Sequence, residues 1–236
     1  RWTRPRRVFV NSMSDLFHES LSDEDIAAVF GVMAAARWHT FQVLTKRPKQ
    51  MREWFEWISS TDRVSPRGYD RFDSARLHVA WQCHKQISRS DSYWHDVAGG
   101  PWPLPNVWLG VSVEDQATAD ERIPLLLDTP AAVRFLSCEP LLGSLDLRPY
   151  LRRVQTHGPG WRLSAGDALD IADVVPDWII VGGESGPGHR PMDPEWARSI
   201  RDQCSDAGVA FFMKQMAGKG PIPADLDIQE FPYTQE

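Results

Sequence analysis

Residues 178–213 read WIIVGGESGPGHRPMDPEWARSIRDQCSDAGVAFFM, which predicts a strand, a helix and a second strand. The apolar run 178–181 leads into two glycines and is typical of a buried strand. The pair Asp193-Pro194 predicts a helix start, and Gly208 predicts its end. A second apolar run, 209–213, follows directly. Strands joined by single helices indicate a parallel sheet with helices outside it.

The same alternation of strands and helices occurs upstream. Strands are predicted at 7–11, 41–45, 107–113 and 133–137. Helices are predicted after a capping box at Ser22 and Asp25, from Pro48, and from Ala119 to Leu127, where Pro124 bends or starts the helix.

This order predicts an α/β fold: a partial (β/α) TIM-like barrel of parallel strands with outer helices. An open, doubly wound sheet fits the periodicity equally well. We expect a single domain over residues 1–236, with an insert at 59–106 and a second irregular stretch at 143–176. Because the chain starts at Arg1 and not at Met, we also expect either an upstream segment or processing of the chain.

Composition excludes several classes of protein. Lys and Arg number 26 against 32 Asp and Glu, so the net charge of −6 argues against a protein that coats DNA, although a local basic rim is compatible with it. No apolar run approaches the ~20 residues of a membrane helix, and no positively charged start followed by a long apolar stretch resembles a secretion signal. Three scattered cysteines make no disulfide framework, so we expect a cytoplasmic protein that does not contact a membrane.

Polar residues follow every predicted strand. Because the carboxyl ends of parallel strands lie at one edge of a sheet, we expect these residues to converge on one pocket. In chain order the candidates are Ser12, Ser14, Asp15, Thr45, Lys46, Arg47, Glu114, Glu139, Glu184, Arg190, Lys214 and Gln215.

Residue type suggests a role for some of these candidates. Lys46 and Arg47 are suited to hold a phosphate or carboxylate, although solvated surface cations would look the same. The glycines of 182–186 allow a ligand to approach the backbone, or form a plain strand-to-helix turn. Glu139 and Glu184 are candidate general acids or bases, or ligand anchors.

Metal and thiol chemistry have weaker support in the sequence. His78, Cys83, His84 and His95 are residue types that bind zinc, but their spacing matches no standard site, so we predict no metal ligands. Cys138 follows a strand, yet the sequence places no histidine to activate it as a nucleophile. Cys204 lies on the apolar face of a helix and is expected in the core.

Six ordered motifs resemble a known family. They are 8–18 (VFVNSMSDLFH), 44–48 (LTKRP), 106–114 (NVWLGVSVE), 137–143 (SCEPLLG), 181–188 (VGGESGPG) and 211–215 (FFMKQ). Together they resemble an uncharacterised family of phages and bacteria, the three-Cys-motif phage proteins. That family resembles radical S-adenosylmethionine (SAM) enzymes, above all the spore photoproduct lyase group.

The resemblance implies a partial barrel that binds SAM and a 4Fe-4S cluster at the strand carboxyl ends. It implies that Ser12, Ser14, Asp15, Thr45 and Lys46 bind the cofactor. From their strand-end positions we expect Glu139, Glu184 and Lys214 to be catalytic, and Arg47, Glu114, Arg190 and Gln215 to bind substrate. The triplet 182–184 resembles the SAM-binding Gly-Gly-Glu motif but follows a late strand, so Asp15 is the better positional match. The family's cluster-binding cysteines lie upstream of the part that this chain matches, on the first strand of the barrel, and no Cys-x-x-Cys occurs in this chain. The chain therefore resembles the family barrel without its first β/α unit.

Three functions follow as hypotheses. The first is a radical-SAM-like phage enzyme that modifies or repairs nucleic acid or a nucleotide in the host cytoplasm. The second is a cluster-free barrel that binds a nucleotide, a nucleic acid or a separate partner protein without redox chemistry. The third is a metal-dependent hydrolase that uses the strand-end acids or the His/Cys set.

Overall fold

The structure, a computed structural model, describes residues 4–59, 101–152 and 174–232. Within these ranges six strands alternate with five helices. They are β1 (Arg7–Val10), α1 (Asp23–Ala35), β2 (Thr40–Thr45), α2 (Pro48–Ser59), β3 (Val107–Ser112), α3 (Gln116–Leu127), β4 (Val133–Cys138), α4 (Arg148–Leu151), β5 (Trp178–Gly182), α5 (Pro194–Ala207) and β6 (Ala210–Gln215).

The six strands form one parallel sheet in the order β1-β2-β3-β4-β5-β6. Sequential order with helices between the strands makes an α/β half-barrel, which confirms the predicted fold class. Among the described helices, none combines the length and the apolar composition needed to cross a bilayer. Most of the two irregular stretches predicted at 59–106 and 143–176 lies outside the described residues.

Local capping signals set several helix boundaries as predicted. Ser22 and Asp25 form a reciprocal capping box at the start of α1, and Gly208 ends α5 in the left-handed conformation at φ 67°. The third helix differs from the prediction of a helix over Ala119 to Leu127, because α3 begins at Gln116 and runs through Pro124. Asp115 caps it by accepting a hydrogen bond from the backbone N–H of Thr118, which adds a turn before Ala119.

The chain divides into two compact units. Unit 1 comprises Arg1–Gly110 and Thr129–Ala132, and unit 2 comprises Val111–Asp128 and Val133–Glu236. The single domain expected over the whole chain stays a prediction.

Unit 1 has an aromatic core. The rings of Phe30 and Trp54 have centroids 4.5 Å apart, and Phe55 meets Phe30 edge-on at 5.7 Å. The buried indole of Trp54 donates a hydrogen bond from Nε1 to the carbonyl of Asp23 at 3.1 Å. Because Asp23 opens α1 and Trp54 belongs to α2, this side chain joins the two helices through both packing and a hydrogen bond.

The β4–β6 sheet of unit 2 has two different faces. One face, with Cys138, Val181 and Met213, is fully buried. The other face is partly exposed at Ile180 and Phe212, which lie opposite each other in register. Because side chains alternate along a strand, residues two positions further on reach the same partly exposed face at the strand ends.

Replacing Trp54 by alanine should destabilise the protein strongly, because it leaves a large cavity and removes a buried hydrogen bond. We expect the free energy of unfolding, measured by chemical denaturation, to fall by about 3–5 kcal/mol. The matched control is Trp38→Ala, because Trp38 is 50% exposed and should cost far less. Equal losses in the two variants would contradict this account of the core.

Candidate functional site

Asp15 is the centre of a hydrogen-bond network in unit 1. Its Oδ1 accepts from the backbone N–H of Phe17 at 3.0 Å and from the Thr45 hydroxyl at 2.8 Å. Its Oδ2 accepts from the backbone N–H of Lys46 at 3.0 Å and from the Arg47 guanidinium at 3.1 Å. A carboxylate can accept about four hydrogen bonds, so these four donors fill the accepting capacity of Asp15. Asp15 therefore fastens the loop after β1 to the end of β2.

The other unit 1 candidates surround this network. Thr45 is buried, and its hydroxyl also accepts from the backbone N–H of Arg47 at 2.9 Å. Ser12, Ser14 and Lys46 are exposed. The geometry thus groups Asp15, Thr45 and Arg47 as a positioning network, with exposed side chains beside it. The cofactor-binding role of these residues stays a prediction.

Glu139, Lys214 and Gln215 form a second group in unit 2, named here the Glu139 cluster. Lys214 Nζ donates to Glu139 Oε2 at 2.6 Å, and Gln215 Nε2 lies 3.2 Å from Glu139 Oε1. Gln215 Nε2 also donates to the carbonyl of Gly183 at 2.8 Å. The cluster therefore joins the carboxyl ends of β4, β5 and β6.

A β-bulge explains how two consecutive residues reach one carboxylate. Val181 pairs with Met213, but the next residue, Gly182, pairs with Gln215, so Lys214 is the extra residue of β6. In a regular strand, neighbouring side chains point to opposite faces, whereas a bulge redirects one of them. Lys214 and Gln215 can therefore both contact Glu139.

The two glycines at the end of β5 have a steric role. A Cβ on Gly183 would lie 2.3 Å from the backbone nitrogen of Ala217, so no side chain fits there. A Cβ on Gly182 would lie 3.1 Å from Glu139 Oε1. The glycines thus let the segment after β6 and the Glu139 side chain pack directly against the β5 backbone.

Glu184 and Arg190 are joined at the surface of unit 2 by an ion pair between their side chains and by a hydrogen bond from the Arg190 backbone. Arg190 Nη2 donates to Oε1 of Glu184 at 2.6 Å, and the Arg190 backbone N–H donates to Oε2 at 2.7 Å. These hydrogen bonds lower the pKa of Glu184 to about 2. A carboxyl with so low a pKa remains ionised at neutral pH, so it is better suited to hold the 184–190 loop than to donate a proton.

Glu114 is the buried acid among the candidates. Its Oε2 accepts from Arg122 Nη1 at 3.0 Å, and the same Nη1 donates to the carbonyl of Ser112 at 2.8 Å. Arg122 therefore fixes Glu114 at the end of β3. Arg122 is not among the residues predicted from the sequence, although its position on the helix that directly follows the Glu114 strand end was an available signal.

The two described cysteines are core residues. Cys138 and Cys204 are both 0% exposed, as expected for Cys204. Burial raises the pKa of both thiols, that of Cys204 to about 12. Neutral, inaccessible thiols are poor nucleophiles and poor metal ligands, so the structure does not favour Cys138 as a nucleophile.

The structure groups the predicted residues within each unit: Asp15, Thr45, Lys46 and Arg47 in unit 1, and Glu139 with Lys214 and Gln215, and Glu184 with Arg190, in unit 2. Their convergence on a single pocket stays a prediction. In the part of the chain that the structure describes, no group of three or more His, Cys, Asp or Glu side chains is arranged to hold a metal ion. The His/Cys set at 78–95 lies outside that part.

Gly183→Ala should lower the melting temperature, because its Cβ would clash with the backbone of Ala217. Overpacking of this kind typically costs about 1–3 kcal/mol. Gly186→Ala is the matched control, since its Cβ would have no atom within 4 Å. Thermal unfolding checks the pair, and a Gly183→Ala variant as stable as the control would show that the close approach is not required.

The Glu184–Arg190 pair should make stability depend on acid pH. A carboxyl whose pKa falls from 4.5 to about 2 on folding stabilises the fold above its ordinary pKa and loses that contribution as pH falls towards 2. Wild type should therefore exceed Glu184→Gln in melting temperature at pH 7, and the gap should narrow between pH 5 and pH 3. The exposed Glu19→Gln serves as control, and a gap that does not depend on pH would contradict the assignment.

Comparison with known proteins adds one relationship. The chain matches the family described as "Protein of unknown function (DUF5131)" over residues 1–224. No curated protein and no solved structure is significantly similar to it. The resemblance to an uncharacterised family is thereby supported, whereas the phage origin, the three-cysteine motif and the radical-SAM relationship stay predictions. Because the match spans all but the last residues, the chain belongs to the uncharacterised family DUF5131.

Proposed function

We propose that this protein is a radical-SAM-like barrel that binds SAM at the Glu139 cluster and acts on nucleic acid or a nucleotide. The observation that supports the proposal most is the ion pair between Lys214 and Glu139 at the carboxyl edge of a parallel sheet. Parallel α/β sheets and barrels bind their ligands at this edge.

The cluster has binding capacity left, which the Asp15 carboxylate lacks. The ammonium of Lys214 has three N–H groups, and one of them is used by Glu139. The Lys214 side chain is 51% exposed, and the Glu139 side chain is 20% exposed. An adjacent cation and carboxylate suit the carboxylate and ammonium groups at the amino-acid end of SAM.

An apolar surface borders the cluster on the same face of the sheet. Phe212 lies two residues before Lys214, and Ile180 two residues before Gly182, and both are partly exposed. Below them, the ring centroids of Phe212 and Phe231 are 5.3 Å apart. A planar adenosyl group beside these side chains would gain apolar and stacking contacts.

The iron–sulfur cluster does not fit the described residues. A cluster needs accessible thiolates, whereas Cys138 and Cys204 are buried and their thiol pKa values are raised. We therefore assign ligand binding and orientation to these residues, and no redox step. The same observation favours a second candidate, a cluster-free barrel that binds a nucleotide.

SAM binding is tested by isothermal titration and thermal shift on the whole chain. Stabilisation should reach about 2.7 kcal/mol when the SAM concentration is 100 times Kd. Lys214→Met and Glu139→Gln should each weaken binding at least tenfold. The matched controls are Arg148→Met and Asp146→Asn, which break a comparable exposed ion pair elsewhere in unit 2.

The outcomes separate the candidates. SAM binding that the controls retain and the cluster variants lose supports the proposal. Binding of adenosine or ATP in place of SAM supports the nucleotide-binding barrel and overturns the SAM assignment. Loss of affinity in all four variants alike, or no binding at millimolar SAM, overturns a ligand site at the Glu139 cluster.

A further inference from the structure

One face of the β1–β2 pair in unit 1, called here the open face, carries an exposed aromatic side chain. Phe9 of β1 is 45% exposed, whereas Phe41 of β2 is 8% exposed. The register pairs Phe9 with Gln42 and Arg7 with Thr40, so these four side chains share one face. Phe41 and Val43 lie on the opposite, buried face. The exposed face thus presents an aromatic ring with an amide beside it and an arginine before it.

The segment around β1 is basic although the protein as a whole is acidic. Residues 1–14 contain four arginines and no acid, whereas the cations at 47–52 pair with Asp15, Glu53 and Glu56 and do not add to this charge. Arg4, Arg6 and Arg7 are exposed in or beside β1. A local positive field of this kind attracts polyanions in spite of the net charge of −6.

A second exposed aromatic side chain lies at the amino end of the same strands. Trp38 is 50% exposed and precedes β2. The ring of His39 lies between it and the basic segment, 3.0 Å from Trp38 Nε1 and 3.2 Å from the backbone nitrogen of Arg6. Two exposed aromatic rings therefore border the same arginine-rich segment.

We propose that the open face of β1 and β2 binds single-stranded nucleic acid, with Phe9 stacking on a base and Arg4 contacting phosphate. Aromatic rings within a basic surface are how proteins hold unpaired bases and their backbone together. A duplex keeps its bases stacked on each other, so it would not use Phe9. An acidic peptide would use the charges without the ring. The inference shares only the substrate class with the proposed function and does not need the Glu139 cluster.

Fluorescence anisotropy with labelled single-stranded DNA and RNA tests this proposal on the whole chain. Wild type should bind with an affinity that falls steeply with salt. Phe9→Ala should weaken binding about tenfold, Phe9→Trp should retain it, and Phe9→Leu should resemble alanine, because base stacking needs the ring. Thermal unfolding of each variant checks that the exposed substitution leaves the fold intact.

Charge reversal supplies the second comparison. Arg4→Glu should weaken binding several-fold and reduce the salt slope by about 1. Arg152→Glu in unit 2 changes the net charge equally and should have little effect. Equal effects of the two reversals, equal binding of Phe9→Ala and wild type, or equal competition by polyglutamate and by oligonucleotide would overturn the proposal. SAM binding is measured separately, so either proposal can fail without the other.

Discussion

The direct contact between the Gly183 and Ala217 backbones is the constraint on which the strand ends of unit 2 depend. A Cβ on Gly183 would lie 2.3 Å from the backbone nitrogen of Ala217, so no side chain fits between the two segments. This approach brings the end of β6 to the end of β5, where the Gly183 N–H donates to the Gln215 carbonyl at 3.0 Å. The bulge at Lys214 then turns two consecutive side chains towards Glu139. Loss of the contact would disturb all three strand ends together.

The charged residues at the strand ends differ in what remains available to a ligand. Asp15 accepts from four donors, and Glu184 is held by both the side chain and the backbone of Arg190. Groups satisfied in this way hold loops in place, and a ligand would have to replace their partners. Lys214 keeps N–H groups for a ligand. Residue type alone does not reveal this difference, because Asp15, Glu139 and Glu184 look equivalent in the sequence.

Local signals account for the parts of the fold that the sequence predicted. The capping box of Ser22 and Asp25 and the stop at Gly208 involve neighbouring residues, so their chemistry is visible in a short window. The start of α3 was missed because Thr118, at the position where an acid usually stands, completes the cap with Asp115. The bulge at Lys214 could not be predicted, since it depends on the register between β5 and β6. The same holds for the contact of Lys214 with Glu139, which joins residues 75 positions apart.

The structure shows which aromatic side chains are buried and which are exposed, and the amino-acid composition alone does not. Of the eleven tryptophans in the sequence, Trp54 and Trp178 are buried in the core. Trp38 and Phe9 remain exposed beside a segment rich in arginine. Burying either ring would gain about 2 kcal/mol of apolar transfer energy, so its exposure leaves a favourable contact unused within the described part of unit 1. A stacking partner that also carries negative charge would use that contact and neutralise the arginines at once, which an aliphatic or cationic partner would not.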